Sequence, residues 1–352
     1  MIKYLSSEEK PLSRDLWEEA FPEDSRSFGD FYYREKIKEN RILAICEDER
    51  VQAMIQMNPY LIQAGSRRWR VDYLVGVATR KEKRHQGYMS RLLGRMMADM
   101  REEQMPFCFL MPADEAIYRP FGFTFIFKRH WYALQEGIEL TRRTVETRKT
   151  AVGNLRYLGW LADWMDRWLE QRYQVYTVRD TEYLVQLLDE IASENGTMDV
   201  LYDGDTMVGI QSIWGWEEKE QLLLYCEAPY VYEAAEPRPA IMARIITPEQ
   251  FVRAVHLKKQ APEDELTIWL YLEDPLIEEN RGLWLWHLDR ETSWLERSSW
   301  KNAEKAPEGC ENLHLTITEL TTWLFGYDMP AAAKPFEDRV ESLKNVFLDE
   351  EV

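Results

Sequence analysis

One stretch limits the possible folds of this chain more than any other. The segment WRVDYLVGVAT (residues 69–79) reads as a long strand and runs straight into RKEKRHQG (residues 80–87). Apolar residues then fall at Met89, Leu92, Leu93, Met96, Met97 and Met100, the spacing of one face of a helix about four turns long. After Pro106 comes FCFLM (residues 107–111), a buried-strand candidate. Two strands joined by a helix are expected to run parallel. The order strand, basic loop, helix, strand therefore predicts an α/β (α+β) fold built on a mixed sheet.

The loop is out of keeping with the rest of the chain. The formal net charge is −18, yet residues 80–85 hold four formal positive charges, a histidine and one carboxylate. A loop that opens a helix presents several free backbone N–H groups, and with the macrodipole these favour an anion. Gly87 lets the backbone approach a ligand without a side chain in the way, and the basic residues add long-range attraction. Two readings stay open at this point: a phosphate or pyrophosphate site, or a solvated basic loop before an ordinary amphipathic helix. Neither GxxxxGK[ST] nor GxGxxG occurs, so the loop is not a Walker or dinucleotide motif.

With 352 residues, two or three domains are expected. The acidic balance argues against nucleic acid as the main partner and is compatible with a cationic substrate. The four cysteines show no CxxC spacing, so no metal site is expected and the thiols read as reduced and cytosolic. The start MIKYLSSEEK lacks the apolar core of a signal peptide, and no run approaches the length of a membrane span. A cytoplasmic protein with no membrane partner is the expectation.

In the first part, ILAICEDERVQAMIQM (residues 42–57) reads as two strands around an acidic turn. The middle part echoes it. TMDVLYDGDTMVGIQ (residues 197–211) aligns without gaps to residues 42–56, with acidic turns at the same offset (Asp48, Asp203). This implies a second, degenerate copy without a basic loop. In the last part, residues 267–288 read as a strand pair, and residues 313–327 as a strand and a short helix. RVESLKNVFLDEEV (residues 339–352) reads as a helix with Val340, Leu343 and Phe347 on one side, then a tail. The expected domains are residues 1–135, 136–237 and 238–352.

VGVATRKEKRHQGYMSRLL (residues 75–93) resembles the pyrophosphate arm of the GNAT-superfamily acetyltransferases, whose motif is Q/R-x-x-G-x-G/A. Here it reads Arg84, His85, Gln86, Gly87, Tyr88 and Met89, with Met89 where glycine or alanine is commonest. The resemblance implies acetyl-CoA as co-substrate, its pyrophosphate on these six residues and its pantetheine along Val77, Ala78 and Thr79. FCFLM would be a strand splayed away to admit that arm. AIYRPFGFTFI (residues 116–126) is similar to the family's Y-x-x-F/L-G-F segment, which implies that Tyr118 protonates the leaving thiolate. By analogy with the family, Tyr32 and Tyr33 would line the acceptor pocket.

The tandem arrangement and MARIITPEQFVRAV (residues 242–255) resemble the enhanced-intracellular-survival type of this superfamily. That resemblance implies tandem GNAT-like domains followed by a sterol-carrier-like domain, a homo-oligomer, and a C-terminal carboxylate, here Val352, that acts as general base. Many relatives end in an aromatic residue, whereas this chain ends in FLDEEV. Physically, Asp349, Glu350 and Glu351 would raise the basicity of a docked terminal carboxylate; a frayed acidic tail is the other reading. The expected activity is direct acetyl transfer to a primary amine of a small cationic molecule or a lysine side chain. Two other functions fit the same sequence: a non-catalytic CoA or lipid sensor or carrier, and an aminoacyl transferase of peptidoglycan. His130, His256, His287 and His314 lack ligand spacing and read as packing or surface residues.

Overall fold

The computed structural model describes residues 1–48, 50–145, 151–298 and 309–350. The first part contains β1 (Ile2–Tyr4), α1 (Arg14–Ala20), α2 (Arg26–Tyr32), β2 (Arg41–Glu47), β3 (Arg50–Ala64), β4 (Arg67–Thr79), α3 (Tyr88–Glu102), β5 (Phe107–Leu110), α4 (Glu115–Tyr118) and β6 (Thr124–Leu134). The hairpin β2–β3 turns at Asp48, which takes a left-handed backbone (φ 49°). The periodicity of α3 is borne out: Leu92, Leu93, Met96, Met97 and Met100 are buried against the sheet, as is Tyr88. The helix returns the chain so that β5 runs parallel to β4, as a crossover of this length requires.

The middle part contains β7 (Thr141–Thr144), α5 (Ala151–Glu170), β8 (Val175–Thr177), α6 (Thr181–Ser193), β9 (Thr197–Asp203), β10 (Thr206–Trp214) and β11 (Glu220–Cys226). Its four-stranded sheet runs β11-β10-β9-β7, antiparallel at every step. Leu158, Leu161, Met165 and Leu169 of α5 and Leu184, Leu188 and Ile191 of α6 belong to one buried cluster with Val200 and Ile210 of that sheet. β8 leaves the unit and pairs with the far end of β3, Ile62 opposite Thr177. β12 (Val231–Ile245) then returns to the first sheet and inserts between β5 and β6.

The last part contains α7 (Pro248–Phe251), β13 (His256–Leu257), β14 (Leu266–Glu273), β15 (Gly282–Leu288), β16 (Ser293–Arg297), β17 (Glu311–Thr316), α8 (Ile317–Leu324), β18 (Val340–Glu341) and β19 (Val346–Phe347). Its sheet runs β16-β15-β14-β17. A capping box at Thr316 and Glu319 starts α8. Trp269, Trp286 and Trp323 are fully buried and fill the interior.

The helix expected from residue 339 onward does not form over the described residues, 339–350. β18 pairs with β13, and β19 lies parallel to β8 with Val346 opposite Val175. Asn345 between them adopts φ 50°, which no α-helix contains. The helical spacing of Val340, Leu343 and Phe347 is satisfied by separate long-range partners instead. Val340 sits in a strand pair, Leu343 N–H donates to Leu324 O (2.9 Å), and Phe347 stacks on Tyr173 (4.5 Å between ring centroids).

Candidate active site

The site begins with an irregularity in β4. Met54 of β3 pairs with Ala78 and Gln56 with Val75, so β4 carries one residue more than its partner. This is a β-bulge, which bends a strand and re-aims its groups. Gly76 sits in it with φ 56°, and a Cβ there would lie 2.6 Å from Cζ3 of Trp17. Only glycine fits both demands. On its other side β4 meets β5 at a single pair, Tyr73 opposite Phe109, while the far edge of β5 pairs with β12 from Phe107 to Leu110. The two strands thus part beyond that pair, as the resemblance implies.

Past the bulge lies a cleft of about 550 Å³. Of the residues expected to hold the cofactor, Val77, Ala78, Thr79, Arg84, His85, Gly87, Tyr88 and Met89 line it. Gln86 does not; its side chain donates to the Glu82 carbonyl (2.9 Å) and holds the loop in shape. His85 (φ 61°) and Gly87 (φ 76°) both take left-handed backbone, which folds the loop tightly ahead of α3. The first helical hydrogen bond of α3 runs from Arg91 N–H to Gly87 O (3.1 Å). The N–H groups ahead of Arg91 thus open the helix at the cleft. A Cβ at Gly87 would meet nothing within 4 Å.

The loop's positive charge is divided. The Arg80 side chain is buried, 1% exposed, and pairs with Asp15 (2.6 Å) and Glu19 (2.7 Å) of α1. Lys83 pairs with Glu47 (2.7 Å), which also accepts from the Tyr88 hydroxyl (2.6 Å). Two of the four formal cations therefore brace the loop against the domain. Arg84 donates to the Thr79 carbonyl (3.2 Å) and remains at the cleft with His85.

Tyr118 closes α4, whose N-terminus is capped by Asp114 accepting from Ala116 N–H (2.9 Å). Its neighbours Ile117 and Phe121 line the cleft. The ring meets Phe123 edge-on, at 6.0 Å between centroids. Burial alone pushes its phenol up to about 12. The turn that follows ends at Gly122 (φ 78°), where any Cβ would collide with the Arg244 guanidinium. Arg244 is fully buried and pairs with Asp274 (2.7 Å), which also accepts from Leu276 N–H, Ile277 N–H and Asn280 Nδ2. An ion pair anchored in the last part of the chain thus fixes the tyrosine segment from below. Nothing in the local pattern of residues 116–126 points to Arg244 or Asp274.

Tyr32 lies in the core, and Tyr33 is half-buried against it. Tyr32 donates to Asn58 Oδ1 (3.0 Å), and the Tyr33 hydroxyl contacts Ser13 Oγ (3.0 Å) and Gln56 Nε2 (3.1 Å). Val352 lies outside the described residues. Up to Glu350, however, the C-terminal segment is not frayed: Leu348 and Glu350 are buried, and burial raises the Asp349 carboxyl above its ordinary range.

Residues 1–126 match the family model of the acetyltransferase (GNAT) domain. The chain carries a GNAT acetyltransferase domain. Residues 248–345 match the model of the sterol carrier protein domain. Sequence comparison with curated proteins finds no match. Among solved structures, a conserved protein of unknown function from Enterococcus faecalis superposes with a TM-score of 0.75 at 17% identity, covering 97% of this chain and 93% of that one. A GCN5-related N-acetyltransferase from Kribbella flavida gives 0.73 at 15% identity, with 100% and 98% covered. Eis1 from Mycobacterium abscessus gives 0.68 at 11%, with 100% of each chain covered. At such identities the likeness is one of fold, and that fold spans the whole chain: tandem GNAT-like units followed by the sterol carrier domain. In this GNAT domain, the end of β4, the basic loop, the start of α3 and Ile117 of α4 line the cleft.

Proposed function

We propose that this protein transfers an acetyl group directly from acetyl-CoA to a primary amine of a small cationic molecule or a lysine side chain. The observation that carries the reading is the convergence on one cleft of the β4 bulge, the parting of β4 from β5 and the N-terminus of α3. In this reading the loop N–H groups and Arg84 receive the pyrophosphate, and Val77, Ala78 and Thr79 align the pantetheine. A strand N–H at the bulge polarises the thioester carbonyl. The amine, once neutral, attacks that carbonyl; the C–S bond then breaks, the Tyr118 hydroxyl gives its proton to the departing thiolate, and the proton shed by the attacking nitrogen restores the phenol. A base must first take the proton of the ammonium, and we assign this to the terminal carboxylate of Val352. The acidic surface would concentrate a cationic acceptor. A homo-oligomer in the cytoplasm is part of the same proposal.

The test is thiol release from acetyl-CoA with a panel of amines, run on the wild type, Tyr118→Phe and a chain extended past Val352. Amine-dependent release that falls by about 10²-fold or more in Tyr118→Phe is expected. Full kcat in that variant contradicts the acid, and full kcat in the extended chain contradicts the base. Tight lipid binding without transfer to any amine would instead favour a carrier.

A further inference from the structure

Arg179 follows β8 and its backbone is held on several sides. Val178 N–H donates to Leu61 O of β3 (2.8 Å), Arg179 N–H donates to Asp166 Oδ1 (3.0 Å), and Asp180 caps α6. The side chain is only 1% exposed. Its guanidinium donates through Nη1 to Glu350 (2.9 Å) and through Nη2 to Asp349 (2.6 Å) and the Tyr225 hydroxyl (2.9 Å). The Tyr183 ring lies beneath it, 4.2 Å from the centroid.

The remaining carboxylate oxygens are engaged as well: Tyr225 donates to Asp349 Oδ2 (2.7 Å) and Tyr183 to Glu350 Oε2 (3.0 Å). Each of the last two described acidic side chains is thus gripped by one arginine and one tyrosine. Arginine suits this role, because its planar fork serves two carboxylates at once where lysine offers a point charge.

Aromatic contacts link this clamp to the β4–β5 pair. Tyr183 meets Tyr60 at 6.3 Å, and Tyr60 meets Tyr73 (6.1 Å) and Phe109 (6.4 Å). Tyr73 and Phe109 are the pair at which β4 and β5 part. The buried pair Lys36–Glu190 (2.9 Å) lies beside it, with Lys36 over the Tyr60 ring. A set of packed aromatic side chains therefore joins the clamp on Asp349 and Glu350 to the point where β4 and β5 part. Chain ends are ordinarily loose, and a buried ion cluster is a costly way to gain stability alone. Its use is to fix one geometry.

We propose that Arg179 is a positioning residue: by holding Asp349 and Glu350 it fixes the segment that leads to the terminal carboxylate. This rests on the reading in which the terminal carboxylate is the base. It also gives the middle unit, which has no basic loop, a task in the reaction of the first.

The experiment uses the full-length protein. Arg179→Lys is compared with wild type for kcat, for the KM of acetyl-CoA and for amide hydrogen exchange over residues 340–352. The neutral triple variant Arg179→Met, Asp349→Asn, Glu350→Gln leaves no charge stranded and covers the case in which the single variant does not fold. Faster exchange at the C-terminal segment, kcat lower by about 10²-fold and an unchanged KM for acetyl-CoA are expected. Faster exchange with full kcat overturns the proposal. The chain extended past Val352, assayed alongside, separates the two ideas. If the extension abolishes activity while both Arg179 variants keep it, the clamp fails and the terminal base stands. If the extended chain keeps full kcat, the terminal base fails, and the clamp's role in positioning it fails too.

Discussion

The hairpins β2–β3 and β9–β10 begin alike and end differently. Both are antiparallel pairs around an acidic turn with left-handed backbone, at Asp48 (φ 49°) in one and Gly204 (φ 56°) in the other. Beyond the first hairpin the chain adds β4 with its bulge, then a loop, then the crossover helix α3. Beyond the second, β10 turns through Gly215 into antiparallel β11. An antiparallel return brings no helix N-terminus to a strand end. The hairpin is therefore a scaffold, and the cleft comes from the bulged end of β4 and the crossover that follows it. The middle unit has kept the scaffold and contributes Arg179, Tyr183 and Tyr225 instead.

This contrast can be probed by matched changes in the two units. The largest effect is expected at the chemistry. Tyr118→Phe should lower kcat by about 10²-fold or more with little change in the KM for acetyl-CoA, whereas Tyr202→Phe in β9 should change neither. Because burial holds the Tyr118 phenol up to about 12, its proton is retained as pH rises through the neutral range. The kcat–pH profile should then show no fall caused by Tyr118 below about pH 11; a fall near pH 9 that disappears in Tyr118→Phe would contradict this.

Two glycines come next. Gly76→Ala drives a methyl into Trp17, and Gly209→Ala drives one into Cys226, 2.8 Å from its Cβ. Each should lose about 1–3 kcal/mol of stability by chemical denaturation. Only the first should raise the KM for acetyl-CoA, since only it reshapes the bulge. Equal effects on KM would remove the distinction between the units.

The smallest expected effects divide the loop itself. Arg84→Met should weaken CoA binding by about five-fold, roughly 1 kcal/mol, with a shallower dependence on salt. Arg80→Met should leave affinity unchanged and lower stability instead, because it strips Asp15 and Glu19 of their partner. Calorimetric titration in two salt concentrations distinguishes them.

Local patterns in the sequence revealed the elements of the first unit well. The apolar stripe of α3, the acidic-turn hairpins and the FCFLM strand depend on neighbours in the chain, and periodicity reports those directly. The bulge also has a local signal, the lone Gly76 inside a strand. Contacts between distant parts were hidden. Arg244 with Asp274, and Arg179 with Asp349 and Glu350, join segments up to 171 residues apart. No spacing rule marks a buried arginine. The same reason explains the C-terminal segment: Val340, Leu343 and Phe347 have helical spacing, but strand partners in other parts of the chain claim two of them. The charge of RKEKRH was visible, while its division between bracing the fold and facing the cleft depended on Glu47, Asp15 and Glu19, brought in by tertiary packing.

The central claim is that the turn at Gly87 receives the pyrophosphate of CoA, and a paired titration tests it most directly. Gly87 and Gly204 both have positive φ, and a Cβ on either meets nothing within 4 Å. Valine at either position should therefore cost the fold a similar ~1–2 kcal/mol of backbone strain. Titrating CoA into wild type, Gly87→Val and Gly204→Val by calorimetry should give wild-type affinity for Gly204→Val. For Gly87→Val the affinity should fall by about 30-fold or more, ~2 kcal/mol, as a close backbone contact to phosphate is blocked. Equal affinity in all three proteins would contradict the assignment of the cleft.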